Sequence, residues 1–185
     1  FVGDTNTSAV VTYTGGTGAD AVTPRLGADI VDLAADTAAD TVTILGASDT
    51  SLALGIVAGG AVPANATTFN TSGMDKISNF GVGDSVVFTN AAFLTVAAAD
   101  AIVRNSGTVG AATTNDAVLL TGDYNAASNL FTVNSGGSSS LLAFDDNGNT
   151  AAGAYRGIVL VGYTDTGGAD TYIAAAITGA TFLSV

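Results

Sequence analysis

The sequence predicts an all-β fold, and three observations predict it. Short runs rich in Val, Thr, Ile and Phe alternate with Gly, Asn, Asp and Ser turns along the chain. A nine-residue spacing of Gly, Asp and a large apolar residue recurs near the N-terminus. The apolar material, 48% of 185 residues, is mostly Ala and Val, with no Trp and one Met, which suits thin, closely layered sheets.

Taken in order, Ala9–Thr14 reads as the first strand. Gly15-Gly16-Thr17-Gly18-Ala19-Asp20-Ala21-Val22-Thr23 then fills the pattern G-G-x-G-x-D-x-U-x at every position, U being a large apolar residue. Pro24–Asp32 keeps Gly27, Asp29 and the apolar position but loses the first two glycines. A third turn keeps only Asp40 and Val42 and arrives two residues late. In such a turn glycines with positive φ bend the backbone, the aspartate closes the bend, and the apolar residue starts a strand that points into the core. Further strands are expected at Thr41–Leu45, Leu52–Val57, Ser85–Thr89 and Ala117–Thr121, with Ala61–Ser72 irregular. Leu130–Asn134 and Leu141–Phe144 read as partner strands joined by a Gly/Ser hairpin loop, followed by strands at Gly157–Tyr163 and Thr181–Val185. Two Ala-rich stretches read as helical, 96–103 capped by Thr95 and 151–155 capped by Thr150.

Charge narrows the function classes. All 16 acidic residues are aspartate, against Arg25, Lys76, Arg104 and Arg156, for a net charge of −12. No basic patch can form to displace counterions from nucleic acid, and an anionic membrane surface is disfavoured. Divalent cations would relieve the self-repulsion. No apolar run reaches the ~20 residues that cross a bilayer, so no membrane span is expected. Phe1 reads as a processed terminus or the edge of a longer chain.

Catalysis finds little footing. The absence of Cys and His excludes disulfides, zinc sites of the usual kind and Ser-His or Cys-His nucleophiles. Asp165-Thr166-Gly167 spells an aspartic-protease triplet, but that chemistry needs two such carboxylates sharing a proton. Asp145-Asp146-Asn147-Gly148-Asn149 places oxygens as a calcium loop does, yet lacks the glycine and acid of an EF-hand and reads as a tight turn. Lys76, the single lysine, reads as a surface residue. The chain is not expected to be an enzyme.

The turns themselves carry the strongest chemical signal. Pentads ending in x-x-Asp-x-apolar recur at Asp20, Asp29, Asp40 and Asp170. Stacked turns of this kind bring carboxylates and backbone carbonyls of neighbouring coils together, and oxygen-only ligation suits calcium. The candidate ligands are Asp20 and Asp29, then Asp36 and Asp40, with the carbonyls of Gly16, Gly18 and Gly27.

These turns resemble the RTX calcium-binding repeats of bacterial proteins exported by type I secretion. Asp75-Lys76-Ile77-Ser78-Asn79-Phe80-Gly81-Val82-Gly83-Asp84-Ser85-Val86-Val87-Phe88 is similar to the D-x-I-x-D-F-x-x-G-x-D-x-I-x-F segment that follows such repeats, with Asn79 in place of an aspartate and Gly83-Asp84 one position early. It adds Asp75 and Asp84 as weaker metal candidates. The resemblance implies a short right-handed parallel β-roll or solenoid over residues 1–75 and a mixed β-sandwich-like region over 76–185, the two forming either separate units or one continuous domain. It further implies calcium as the cofactor and a secreted or surface-layer structural protein whose partners are copies of itself in a sheet or filament, with cell-surface polysaccharide as a second partner. The alternative is a C-terminal secretion and folding module of a larger exoenzyme or toxin.

Overall fold

A computed structural model describes residues 1–3, 9–45, 54–56, 61–89, 103–104, 118–145, 155–164, 171–175 and 179–183. The chain is all-β there, without a helix among the described residues. The first seven strands are β1 (Thr12–Thr14), β2 (Ala21–Val22), β3 (Ile30–Asp32), β4 (Thr41–Ile44), β5 (Thr68–Asn70), β6 (Lys76–Ser78) and β7 (Ser85–Phe88). They are followed by β8 (Val103–Arg104), β9 (Val118–Asn125), β10 (Leu130–Val133), β11 (Ser139–Asp145), β12 (Tyr155–Val161), β13 (Thr171–Ala175) and β14 (Gly179–Leu183).

The first half winds between two sheets. β1, β3 and β6 lie side by side and parallel in one sheet, and β2, β4 and β7 do the same in the other. Each turn of chain therefore lays one short strand on each sheet. Residues 1–3 add to the second sheet beyond β2, where Val2 bridges Thr23, Gly3 N–H donates to Thr23 O and Thr23 N–H donates to Phe1 O. The excursion between β4 and β6 contains β5, which pairs with β10 at the far edge of the first sheet.

The second half extends both sheets. β12 joins β6 in parallel, and β11, β9 and β10 follow antiparallel, giving the order β1-β3-β6-β12-β11-β9-β10-β5 with β8 beside β9. β14 joins β7 antiparallel, giving β13-β14-β7-β4-β2.

Burial follows from side-chain alternation. Val22, Val42, Ile44, Val86 and Phe88 of the five-stranded sheet face Val31, Ile77, Leu119, Leu142, Ile158 and Leu160 of the nine-stranded sheet in one core. A second core lies on the other face of the nine-stranded sheet. Val118, Leu120, Phe131, Leu141 and Val159 are covered there by Leu54, Ile56, Val62 and Met74. Strands β9, β11 and β12 are thus buried on both faces, which is why they read as unbroken apolar runs rather than alternating ones.

Several expectations change. The strands at Thr41, Ser85, Ala117, Leu130, Leu141, Gly157 and Thr181 are present with bounds shifted by a few residues. Residues 9–11 lie outside β1, and of the expected strand at Leu52–Val57 only residues 54–56 are described, with Leu54 making a lone bridge to Tyr155. The irregular stretch Ala61–Ser72 holds β5. Leu130–Val133 and Leu141–Phe144 are not partners, because β9 lies between them and pairs with both. The Gly/Ser loop crosses β9 instead, and at that crossing a Cβ on Gly137 would collide with the Gly122 backbone. The first expected helix lies outside the described residues except Val103, which is in β8. The second does too except Tyr155, which opens β12.

Candidate functional site

The aspartates singled out by spacing form two columns along the winding half, one per side of the stack. In the first column Asp40 Oδ1 accepts from Asp20 N–H at 2.8 Å, and Asp84 Oδ1 accepts from Asp40 N–H at 2.9 Å. In the second, Asp29 Oδ1 accepts from Val11 N–H at 2.9 Å, and Asp75 Oδ1 accepts from Asp29 N–H at 2.9 Å. The backbone carbonyls continue each column, since Asp20, Asp40, Asp29 and Asp75 accept from Thr41, Ser85, Lys76 and Val159 N–H respectively. Asp29, Asp40, Asp75 and Asp84 thus each reach back one coil to the amide at the equivalent corner.

The second carboxylate oxygen closes the residue's own turn. Asp20 Oδ2 accepts from Gly16 N–H at 2.9 Å, Asp29 Oδ2 from Arg25 N–H at 3.2 Å, and Asp84 Oδ2 from Gly81 N–H at 2.7 Å. Asp20 Oδ1, at the outer end of its column, takes the Tyr13 hydroxyl at 2.8 Å. A corner has just lost its regular strand pairing, so its amides need an acceptor. Aspartate is short enough to supply it; glutamate's extra methylene would overshoot.

Burial makes this ladder costly and tight. Asp29 and Asp40 are each 2% exposed, Asp84 3% and Asp75 0%. Burial is the main cause that raises the Asp40 carboxyl above the ordinary carboxylate range; the amide of Asp20 opposes it, and the nearby charges of Asp84, Asp36 and Asp20 add to it. Tyr13 is raised as well, first by its hydrogen bond to Asp20.

The remaining candidates lie apart from the columns. Asp36 is exposed and folds onto Ala38 N–H in its own turn. Gly16 and Gly18 are exposed, and a Cβ at either would meet nothing within 4 Å. Gly27 is the motif glycine with positive φ, at +145°, and a Cβ there would strike Ala9 O. The expected positive φ is therefore present at Gly27 and not at Gly15, Gly16 or Gly18. Gly15 is required for a different reason, since its Cβ would run into the Asp20 carboxylate. Asp170, Asp146 and the Asp165 triplet lie outside the described residues.

A calcium site gathers six to eight oxygens at 2.3–2.6 Å around one point. The ladder carboxylates point instead at N–H donors, and among the described residues no three acidic side chains are grouped so as to hold a metal ion. This donor-facing geometry does not fit a shared oxygen cage. Asn79 donates its side-chain amide to Asp32 Oδ1 at 2.6 Å from a left-handed backbone at φ 57°. An aspartate there would set two carboxylates against each other.

Asp75 and Asp84, ranked behind the repeat aspartates by sequence, are full members of the columns. Their signal was the nine-residue interval that also separates Asp20 from Asp29. Lys76 corrects the surface expectation: it is 9% exposed, with burial lowering its ammonium pKa and Asp75 partly opposing. A scan against protein-family models, a search of curated proteins and a search of solved structures each found no match to this chain.

Proposed function

We propose that this chain is a structural, self-assembling extracellular protein whose winding half is a short parallel β-roll. One observation carries the reading: the same bond, from a corner carboxylate to the corner amide one coil away, recurs at each step of both columns. A stack held by a repeating bond can be lengthened by repeating it. Among the described residues, the outermost strand β1 leaves one such edge open. Ile30 N–H donates to Val11 O and Gly15 N–H donates to Asp32 O, so alternate residues face β3. Thr12 and Thr14 accordingly turn their backbone groups outward, ready for another strand.

In this reading the aspartates replace metal as the link between coils, and their amide bonds hold the stack without an ion. The calcium dependence implied by the repeat resemblance is separable by experiment. Circular dichroism and static light scattering in chelator and in millimolar calcium, with electron microscopy of both samples, test it. A folded chain that forms sheets or filaments in both supports the ladder and the assembly. Folding that appears only with calcium would replace the ladder by a metal-bridged stack, and a monomer at high concentration in both would remove assembly.

The open edge also favours a second reading, a folding module onto which coils of a preceding segment continue. A chain that stays monomeric alone, yet becomes more stable when further repeat coils are fused ahead of Phe1, would select it.

A further inference from the structure

The outer face of the nine-stranded sheet carries a cleft that the ladder does not use. Its volume is about 460 Å³, within the range that holds a small organic ligand. The cover of the second core stops here. Ser72 bounds the cleft on one side, and Tyr124 of β9 with Ala126 and Asn129 of the turn that follows bounds it on another. Ile30 and Val161 line the floor, and Ile30 is left 44% exposed.

Lys76 lies in the middle of this floor. Its ladder neighbours are Ile30 on β3 and Val159 on β12, both apolar. The chain has 16 aspartates and one lysine, yet among the described residues no acid lines the cleft. Among the described residues the Lys76 ammonium has no hydrogen-bond or ion-pair partner. Asp75, next in sequence, is turned to the opposite side of the strand, where it accepts from Asp29 N–H. Lys76 as a whole residue is 9% exposed, and a mostly buried lysine without a counter-ion in the cleft is unfavourable in the bare protein. A ligand that brought the missing charge would relieve that cost.

We propose that the cleft binds a small amphipathic monocarboxylate, with its carboxylate on Lys76 and its apolar body along Ile30 and Val161. One cation matches one negative charge. A phosphate or polyanion would meet the field of a −12 chain with no second cation among the described lining residues to offset it. The apolar walls select a hydrocarbon or aryl body over a sugar.

Octanoate and 1-octanol are suitable probes because they share the tail and differ in the head. The single lysine gives one Cε resonance when lysine is ¹³C-labelled, so the site reports on itself. Octanoate is expected to shift that resonance, to move the Lys76 titration midpoint upward, and to bind about tenfold or more tightly than octanol, the worth of one charge-assisted hydrogen bond. Lys76→Met is expected to bind both probes equally weakly. Octanoate that leaves the Lys76 resonance unmoved, octanol that binds as well as octanoate, or a preference that survives in Lys76→Met would each overturn the site. The resonance measurement uses the unaltered chain, so a failure of the variant to fold leaves the test intact.

Discussion

At the residue scale the aspartates are not equivalent, and the difference is a matter of oxygen count. Asp29 uses both oxygens on backbone amides, Val11 and Arg25, and Asp84 does the same with Asp40 and Gly81. Asparagine would turn an NH₂ against an N–H donor at one of these positions. Asp29→Asn and Asp84→Asn should each cost about 1–3 kcal/mol, the penalty for stranding a buried donor. Asp40 needs one oxygen for Asp20 N–H, which asparagine retains, and it carries the burial penalty of a charge. Asp40→Asn should therefore be neutral or stabilising near pH 7. Urea unfolding of the three variants checks the order, and equal losses at all three would refute the ladder. The sign of the pH effect follows from the raised pKa. The folded chain holds the Asp40 proton more tightly than the unfolded one, so this group favours folding at acid pH. That contribution fades as pH rises through the interval above the ordinary aspartate value. Comparing unfolding free energies of the wild type and Asp40→Asn across that interval isolates it.

At the element scale, glycines divide by what surrounds them. Gly18 sits in open space in the fully matched repeat, without positive φ. Gly18→Ala should be tolerated, with a gain of up to about 1 kcal/mol from a less flexible unfolded chain. Gly137 lies outside any repeat and abuts the Gly122 backbone. Gly137→Ala should cost about 1–3 kcal/mol, because neither backbone can yield without disturbing β9. Thermal unfolding of both variants measures this, and the opposite order would mean that the crossing of β9 is not as tight as described. The contrast shows what sequence could and could not convey. The repeat made the corner at Asp20 and the apolar position at Val22 legible, because local spacing sets both. The crossing at Gly122 and Gly137 was illegible, because it depends on β9 inserting between two runs that looked like a hairpin. β5 was missed for a similar reason. Thr68-Phe69-Asn70 has little strand signal of its own and is held by pairing with β10. For the candidate site, spacing found the carboxylates but not their partners. A carboxylate at a glycine turn suits an amide as well as a cation, and only the neighbouring coil decides between them.

At the scale of the whole molecule, the sheets end differently at their two sides. The antiparallel half packs β9, β11 and β12 between two cores, whereas the winding half ends at β1 and at residues 1–3 with apolar side chains near the rim. Phe1 is 46% exposed, Val2 62% and Val10 58%. Tyr13 is the exception on this rim, tied inward by Asp20 and stacked on Phe1 with ring centroids 5.0 Å apart. An edge of this kind invites strand addition, and backbone direction allows it to be blocked without touching the interior. Thr12 points its N–H away from β3, so proline there removes an outward donor and, among the described residues, no internal bond. Thr12→Pro should leave the unfolding midpoint within about 0.5 kcal/mol of wild type in stability, as expected away from buried features, while reducing assembly measured by light scattering at equal concentration. Tyr13→Pro is the matched control. It removes a donor that faces β3 and deletes the hydroxyl bound to Asp20, so it should lower stability and assembly together. If Thr12→Pro assembles as readily as wild type, copies do not join through β1. Growth would then have to proceed from the edge at residues 1–3 of the second sheet, or from the β5 or β13 side, where the described residues hold no counterpart of the corner ladder and a different bond must hold the copies together.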